Sequence, residues 1–397
     1  MAITALEQLS VATAVGMTLS LLTTGAANAY TFTKIADTNG PFREIFNFSS
    51  PINDQGTVAF SAILDAGGSG IFTGNGGAIT TIAERTDPSF NLVTTALNNE
   101  GTVAFYAFLG LGETRLFTGS GGTVTTIADT SGLFSEIGNG APSNPAINDQ
   151  GTVVFRASLR SGGEGIFISS GGVITTIADT NGPFSDFFYA ASPAINNEGT
   201  VVFSATLDNG NEGIFASSGG AITTIADTRG PFSCFYGRFP LINNRGTLAF
   251  EAPLDTGGCG VVTSSDGVVT TIADTSGLFS FVGQYGINDE GTVALFAQLD
   301  AGGAGIFTSS DAVTNKVIAI GDTLFGSTVT DLYAITNGLN NSGQLSFYAA
   351  LADGTEGIFR ADPEPQPVPE PASVLGLLTA GALGVGIWRK RQQERAL

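Results

Sequence analysis

Apolar and polar positions between residues 30 and 361 alternate in short β-branched and aromatic runs broken by Gly, Asn and Ser, with no helical period. Thr152-Val153-Val154-Phe155-Arg156-Ala157 is one such run. A Gly-rich turn, Ser161-Gly162-Gly163-Glu164-Gly165, follows it. Then come Ile166-Phe167-Ile168, a Ser/Gly turn, and Val173-Ile174-Thr175-Thr176-Ile177-Ala178. Runs of this composition bounded by such turns predict strands. Asn-Asp, Asn-Asn and Gly-Gly pairs are expected to fill the positive-φ turn positions.

The same grammar recurs seven times. The motif Asn-x-x-Gly-x-x-x-Phe starts at Asn53, Asn98, Asn148, Asn196, Asn243, Asn288 and Asn340, with one departure, Leu295, at its last position. With the segment before each Asn, every repeat holds four strands. Four-stranded units of about 40–50 residues predict propeller blades, the alternative being a β-helix solenoid, whose coils are usually shorter. A strand ending Ile-Ala-Asp or a variant also occurs seven times, near Ile35, Ile82, Ile127, Ile177, Ile225, Ile272 and Ile320. Its first copy precedes any Asn-x-x-Gly, and the last repeat ends at Phe359 without one. The fold class expected is therefore all-β: a seven-bladed β-propeller closed by the N-terminal strand, plus a C-terminal apolar helix. Such closure covers edges that an open array leaves exposed. The repeat pattern resembles the choice-of-anchor tandem-repeat proteins of bacterial surfaces over nearly all of residues 31 to 361. That resemblance implies an exported repeat protein and no activity.

Charge narrows function. Thirty-five acids face fifteen bases, a net charge of −20, so nucleic acid and anionic membrane surfaces are poor partners. Cations and neutral polymers such as glycans fit better. His is absent, which removes the usual general base, the usual zinc ligand and every His-containing triad.

Both ends read as targeting segments. Residues 11 to 24 are largely apolar and lead to Ala27 and Ala29, small residues that fit a signal-peptidase site with Tyr30 as the new N-terminus. The first ten residues depart from the usual pattern: they lack Lys and Arg and contain Glu7. The alternative is a buried N-terminal helix. At the other end, Pro369-Glu370-Pro371 precedes an apolar stretch, Ala372 to Trp388, and then Arg389-Lys390-Arg391. The stretch reaches the lower limit for a membrane-spanning helix, and the basic cluster favours a cytoplasmic end. This order resembles the PEP-CTERM sorting signal of Gram-negative bacteria. The resemblance implies recognition by an exosortase-type processing enzyme, cleavage near Pro-Glu-Pro, and association with exopolysaccharide and biofilm surfaces. An ordinary membrane anchor is the other reading. The domain plan is thus 1–29 signal peptide, 30–361 propeller, 362–371 Pro-rich linker, and 372–397 apolar helix and basic tail.

Acids recur in the loop after each Ile-Ala-Asp strand: Asp37, Glu84, Asp129, Asp179, Asp227, Asp274 and Asp322. If that strand is outermost, these loops share one face with those carrying Asp65, Glu113, Glu164, Asp208, Glu212, Asp255, Asp300 and Glu356. Asp37, Asp129, Asp179, Asp227 and Asp274 are candidate Ca²⁺ ligands, although the further acids of a complete loop are missing. The competing role is turn capping. Aromatics follow the same strands (Phe187-Phe188-Tyr189, Phe235-Tyr236), with Arg43 and Arg238 nearby, and suit either a glycan surface or core packing. Cys234 and Cys259 permit a disulfide in an oxidising compartment. Neither has a His partner for nucleophilic work. A carboxylate pair for glycoside cleavage would break the repeat symmetry, which singles out Glu136, Asp186 and Glu251. The expected function is a non-enzymatic surface module that binds or organises extracellular matrix, with no cofactor unless calcium. The alternatives are a propeller glycosidase or polysaccharide lyase, and a calcium-dependent adhesin.

Overall fold

The computed structural model describes residues 30–364, except 48–49, 87–90, 110–112, 139–142, 189–191, 234, 236–238, 255–256 and 309–314. The signal segment, the sorting tail with its helix and residues 365–371 of the linker lie outside the described residues.

Seven antiparallel sheets, six of them walks of four strands and one of five, stand around one axis as a seven-bladed propeller. Blade 3 shows the plan. Its inner strand has two segments, Phe134–Ile137 and Ala146–Ile147, both paired with Val153–Leu159. Glu164–Ser170 comes next, and Val173–Asp179 forms the outer edge. Its third strand is largely buried and its fourth largely exposed, as an outermost strand must be. The loops between blades and the turns joining second and third strands therefore share one face, called here the turn face. The Asn-x-x-Gly turns occupy the opposite face.

The ring closes as the repeat offset predicts. Strand Tyr30–Asp37 pairs with Glu356–Pro363, from Tyr30↔Pro363 to Asp37↔Gly357, and completes blade 7 from the far end of the chain. Because Glu356–Pro363 is one strand, Asp362 and Pro363 belong to the sheet and not to the linker to which sequence assigned them.

Packing explains the last motif position. Phe60, Phe105, Phe155, Phe203, Phe250 and Phe347, with Leu295, are at most 1% exposed, each wedged between its blade and the preceding one. The register sets Phe155 opposite Phe167, and the same cross-strand aromatic pair recurs in blades 1, 2, 4 and 7 with centroids 5.6–5.9 Å apart.

The Asn and Gly of the motif do separate jobs. In blade 3, Asn148 N–H donates to Thr152 O and Gly151 N–H to Asn148 O, closing a tight hairpin that needs Gly151 at φ 76°. The second-position Asp or Asn does not take a positive φ. Among described non-glycine residues only Asp266, Phe325 and Asn337 do, so the expectation that Asn-Asp and Asn-Asn pairs supply that conformation is corrected: Gly supplies it.

Candidate functional site

The motif Asn does more than shape its turn. Its Oδ1 accepts from a backbone N–H four residues on, as in Thr152 N–H to Asn148. Its Nδ2 reaches the next blade. Asn53 donates to Asn98 O, Asn98 to Asn148 O, Asn148 to Asn196 O, and so on to Asn340, which donates back to Asn53 O. Seven buried amides thus form a closed ring of hydrogen bonds about the axis.

A second ring runs beside the first. Each backbone N–H of Asp54, Asn99, Asp149, Asn197, Asn244, Asp289 and Asn341 donates to the Oδ1 of the next member, and Asn341 closes on Asp54. No two of its three acids are adjacent, and three is the most that a ring of seven admits on that condition. Each Asp Oδ2 accepts from both flanking amides: Asp54 from Asn99 and Asn341, Asp149 from Asn99 and Asn197, Asp289 from Asn244 and Asn341. The rings border an axial cavity of about 170 Å³ with an aliphatic floor that includes Ile52, Ile147 and Leu339. Replacing Asn99 by Asp deletes two donors and sets three carboxylates side by side. The expected loss is about 2–3 kcal/mol at neutral pH, shrinking as acid protonates the new carboxyl. Denaturant midpoints across pH measure it; a midpoint unchanged at neutral pH would show that the second ring does not hold the blades together.

On the turn face, the acids proposed as calcium ligands are engaged by residues close to them in sequence. Asp37 binds Lys34 Nζ at 2.6 Å. Asp129 accepts the N–H and hydroxyl of Ser131, which hold its carboxyl below the usual range. Asp179 caps Asn181 N–H and Asp274 caps Ser276. Asp227 accepts the Arg229 N–H and guanidinium, and that side-chain bond lowers its carboxyl most. Among the described residues, no group of three or more acid or Cys side chains is placed to hold a metal ion. Asp129, Asp179, Asp227 and Asp274 thus cap their own turns, while Asp37 is ion-paired within its own strand.

The loop aromatics are core. Phe187 and Phe235 are fully buried, and their N–H groups donate to Glu164 and Glu212, each 23 residues upstream. Arg43 is exposed; Tyr189, Tyr236 and Arg238 lie outside the described residues. Cys259 begins its strand as a free, partly buried thiol, and its candidate partner Cys234 lies outside the described residues.

One cluster breaks the sevenfold pattern. The second-strand position between the core Phe (Leu295 in blade 6) and Ala reads Ser61, Tyr106, Arg156, Ser204, Glu251, Phe296 and Tyr348 around the ring. Arg156 binds Glu164 at 2.5 Å with side chains 3% and 18% exposed. Asp186 lies beside them. Desolvation, and next the charge of Glu164, raise its carboxyl above the ordinary range, with Arg156 opposing. Tyr106, facing Arg156 from blade 2, has a buried hydroxyl without a hydrogen-bond partner among the described residues, and burial pushes its phenol up strongly. Of the asymmetric acids read from sequence, Asp186 joins this cluster. Glu251 is buried at the equivalent position in blade 5, and Glu136 is partly buried on the inner strand of blade 3. Sequence reasoning passed over Arg156 and Tyr106. Aligning the seven second strands would have exposed them, because at this position the residue chemistry changes from blade to blade.

A family profile described as "Family of unknown function (DUF7453)" matches residues 29–375, and the PEP-CTERM protein-sorting motif matches residues 367–391. That motif marks the chain as exported, transiently anchored in the membrane through its C-terminus, and processed by an exosortase. No curated protein matches the sequence. Among solved structures, the fold is similar to oligogalacturonate lyase from Vibrio parahaemolyticus, at TM-score 0.51 and 10% identity over 87% of this chain and 99% of that one. An oligogalacturonate lyase in complex with manganese gives 0.52 and 10% over 85% and 98%. A prolyl endopeptidase gives 0.51 and 14% over 82% of this chain, which spans about half of that enzyme's length (52%). At these identities the likeness is one of fold alone.

Proposed function

We propose that this chain, which belongs to the DUF7453 family of unknown function, is a non-enzymatic module of the cell surface or extracellular matrix. Its ring presents loops of variable sequence to matrix polysaccharide, the surface association that the PEP-CTERM resemblance implies. The observation that carries this reading is how the recurrent polar groups are used. The axial amides and carboxylates bond blade to blade, and the turn-face acids cap their own loops. Both patterns build a rigid scaffold that holds out the variable loops between blades. Thermal unfolding of residues 30–364 with Ca²⁺ and with a panel of soluble neutral and acidic glycans tests the proposal. A rise of several degrees with one glycan class and none with Ca²⁺ is expected, because a ligand that favours the native state raises the midpoint. A rise with Ca²⁺ alone would favour the calcium-dependent adhesin.

A second reading, a polysaccharide-cleaving enzyme, is favoured by one observation: Glu164 and Asp186 are neighbouring carboxyls of unlike environment at a position without repeat symmetry. Release of reducing ends or unsaturated sugars from the same glycans, abolished in Asp186→Asn, would establish it in place of the first.

A further inference from the structure

The two ends of the propeller leave the ring together. Tyr30 pairs with Pro363, and Thr33 Oγ1 donates to Asp362 at 2.8 Å. Both lie on the face of the Asn-x-x-Gly turns. Gln344, in the turn of blade 7, donates to Asp362 Oδ1, and Pro363 lies against Gly343 of the same turn. Arg360 Nη1 reaches across the closure to Gly56 O, in the turn of blade 1, at 2.6 Å. The other end of the strand Glu356–Pro363 is on the turn face, where Thr38 N–H donates to Glu356 O. The last described strand therefore carries the chain away from the turn face and delivers it to the amide-ring face.

We infer that, while the sorting tail is in the membrane, the amide-ring face is turned to the bilayer and the turn face is turned outward. Chain length enforces this. Eight residues of strand span about 26 Å between the faces at ~3.3 Å per residue. The eight residues 364–371 reach at most about 29 Å when fully extended. Turning the ring over would oblige them to run the full height of the blade and leave almost nothing to meet the apolar stretch that starts at Ala372. The downward face also carries exposed acids, among them Glu100 and Glu198, beside the Arg245–Glu290 ion pair. These repel anionic headgroups, so the ring stands off on its tether instead of lying flat on the lipid. The orientation rests on the sorting motif and the strand order, and is independent of which polymer the loops recognise.

Energy transfer tests it. Residues 30–397, with Cys234→Ser and Cys259→Ser, are reconstituted through the tail into phosphatidylcholine vesicles carrying a headgroup acceptor. A donor is placed either at Gln150→Cys, in an Asn-x-x-Gly turn, or at Asn181→Cys, on the turn face; both positions are exposed. Transfer from position 150 is expected to exceed that from 181 several-fold, and removal of residues 365–397 should abolish both. Equal transfer, or more from 181, overturns the inference. A donor on the α-amine of Tyr30, in a chain with no substitution, gives an independent reading: strong transfer supports the orientation, and transfer no greater than background refutes it.

Discussion

Deleting Tyr30–Asp37 is expected to destabilise the whole ring on the order of 5 kcal/mol or more, and not merely to fray one blade. The strand holds its partner through the full register from Tyr30↔Pro363 to Asp37↔Gly357. It also buries Ile35 and Ala36 among Phe42, Phe60 and Ile358, at the seam between blades 7 and 1. Emptying the Ile35 site alone costs about 2–5 kcal/mol, and each ladder bond adds about 0.5–1.5 kcal/mol. Denaturant unfolding of 38–364 against 30–364 measures the loss, and a synthetic peptide of residues 30–37 should restore part of it in trans. An unchanged midpoint would mean that the seam is not held by this strand.

The second large effect concerns Arg156. Replacing it by Leu strands the largely buried Glu164 carboxylate beside Asp186, and loss of one partner from such a pair costs about 3–5 kcal/mol. Arg156→Met combined with Glu164→Gln should recover most of that, since no uncompensated charge then remains. Additivity of the two single losses would argue against a direct pairing. Asp186 adds a pH signature. Its carboxyl is raised in the folded chain, so the native state binds its proton more tightly than the unfolded chain does. That contribution is fully present below the ordinary value of 3.8 and is lost as pH rises through the higher, folded value. Asp186→Asn escapes the loss. It should be the more stable protein at neutral pH and lose its advantage in acid; a constant difference at every pH would assign the cause to something other than titration.

Much of the architecture was legible because period carries it. The seven Asn-x-x-Gly motifs, and the Ile-Ala-Asp copy that precedes the first of them, predicted the blade number, the closure and the side on which the acidic loops gather. Capping by Asp129 and Asp274 was legible too, since Ser two residues later is local information. What a repeat cannot reveal is whom it touches across the gap between blades. Asn98 is read as a turn residue, and only the assembled ring shows its amide on the carbonyl of Asn148, 50 residues away. The alternation of Asp and Asn at the next position looks like neutral drift until adjacency is known. The Arg156 cluster was hidden for a related reason. An arginine in a strand reads as solvent-facing, and its burial follows from a glutamate on the neighbouring strand and an aspartate on the next blade.

The closure also sets a timetable. Thr31 and Thr33 find Asp362 at sequence separations of 331 and 329. During passage across a membrane with the N-terminus leading, the strand that completes blade 7 emerges first and its partner last. Blades made of neighbouring segments can form as they emerge, but the ring cannot lock until nearly the whole chain has crossed. Pairing at such separation is slow, because loop-closure entropy opposes it before any contact rewards it. Until then the chain stays an open arc with exposed edges at both ends, a state soft enough to be threaded and one that becomes hard to pull back once the last strand docks.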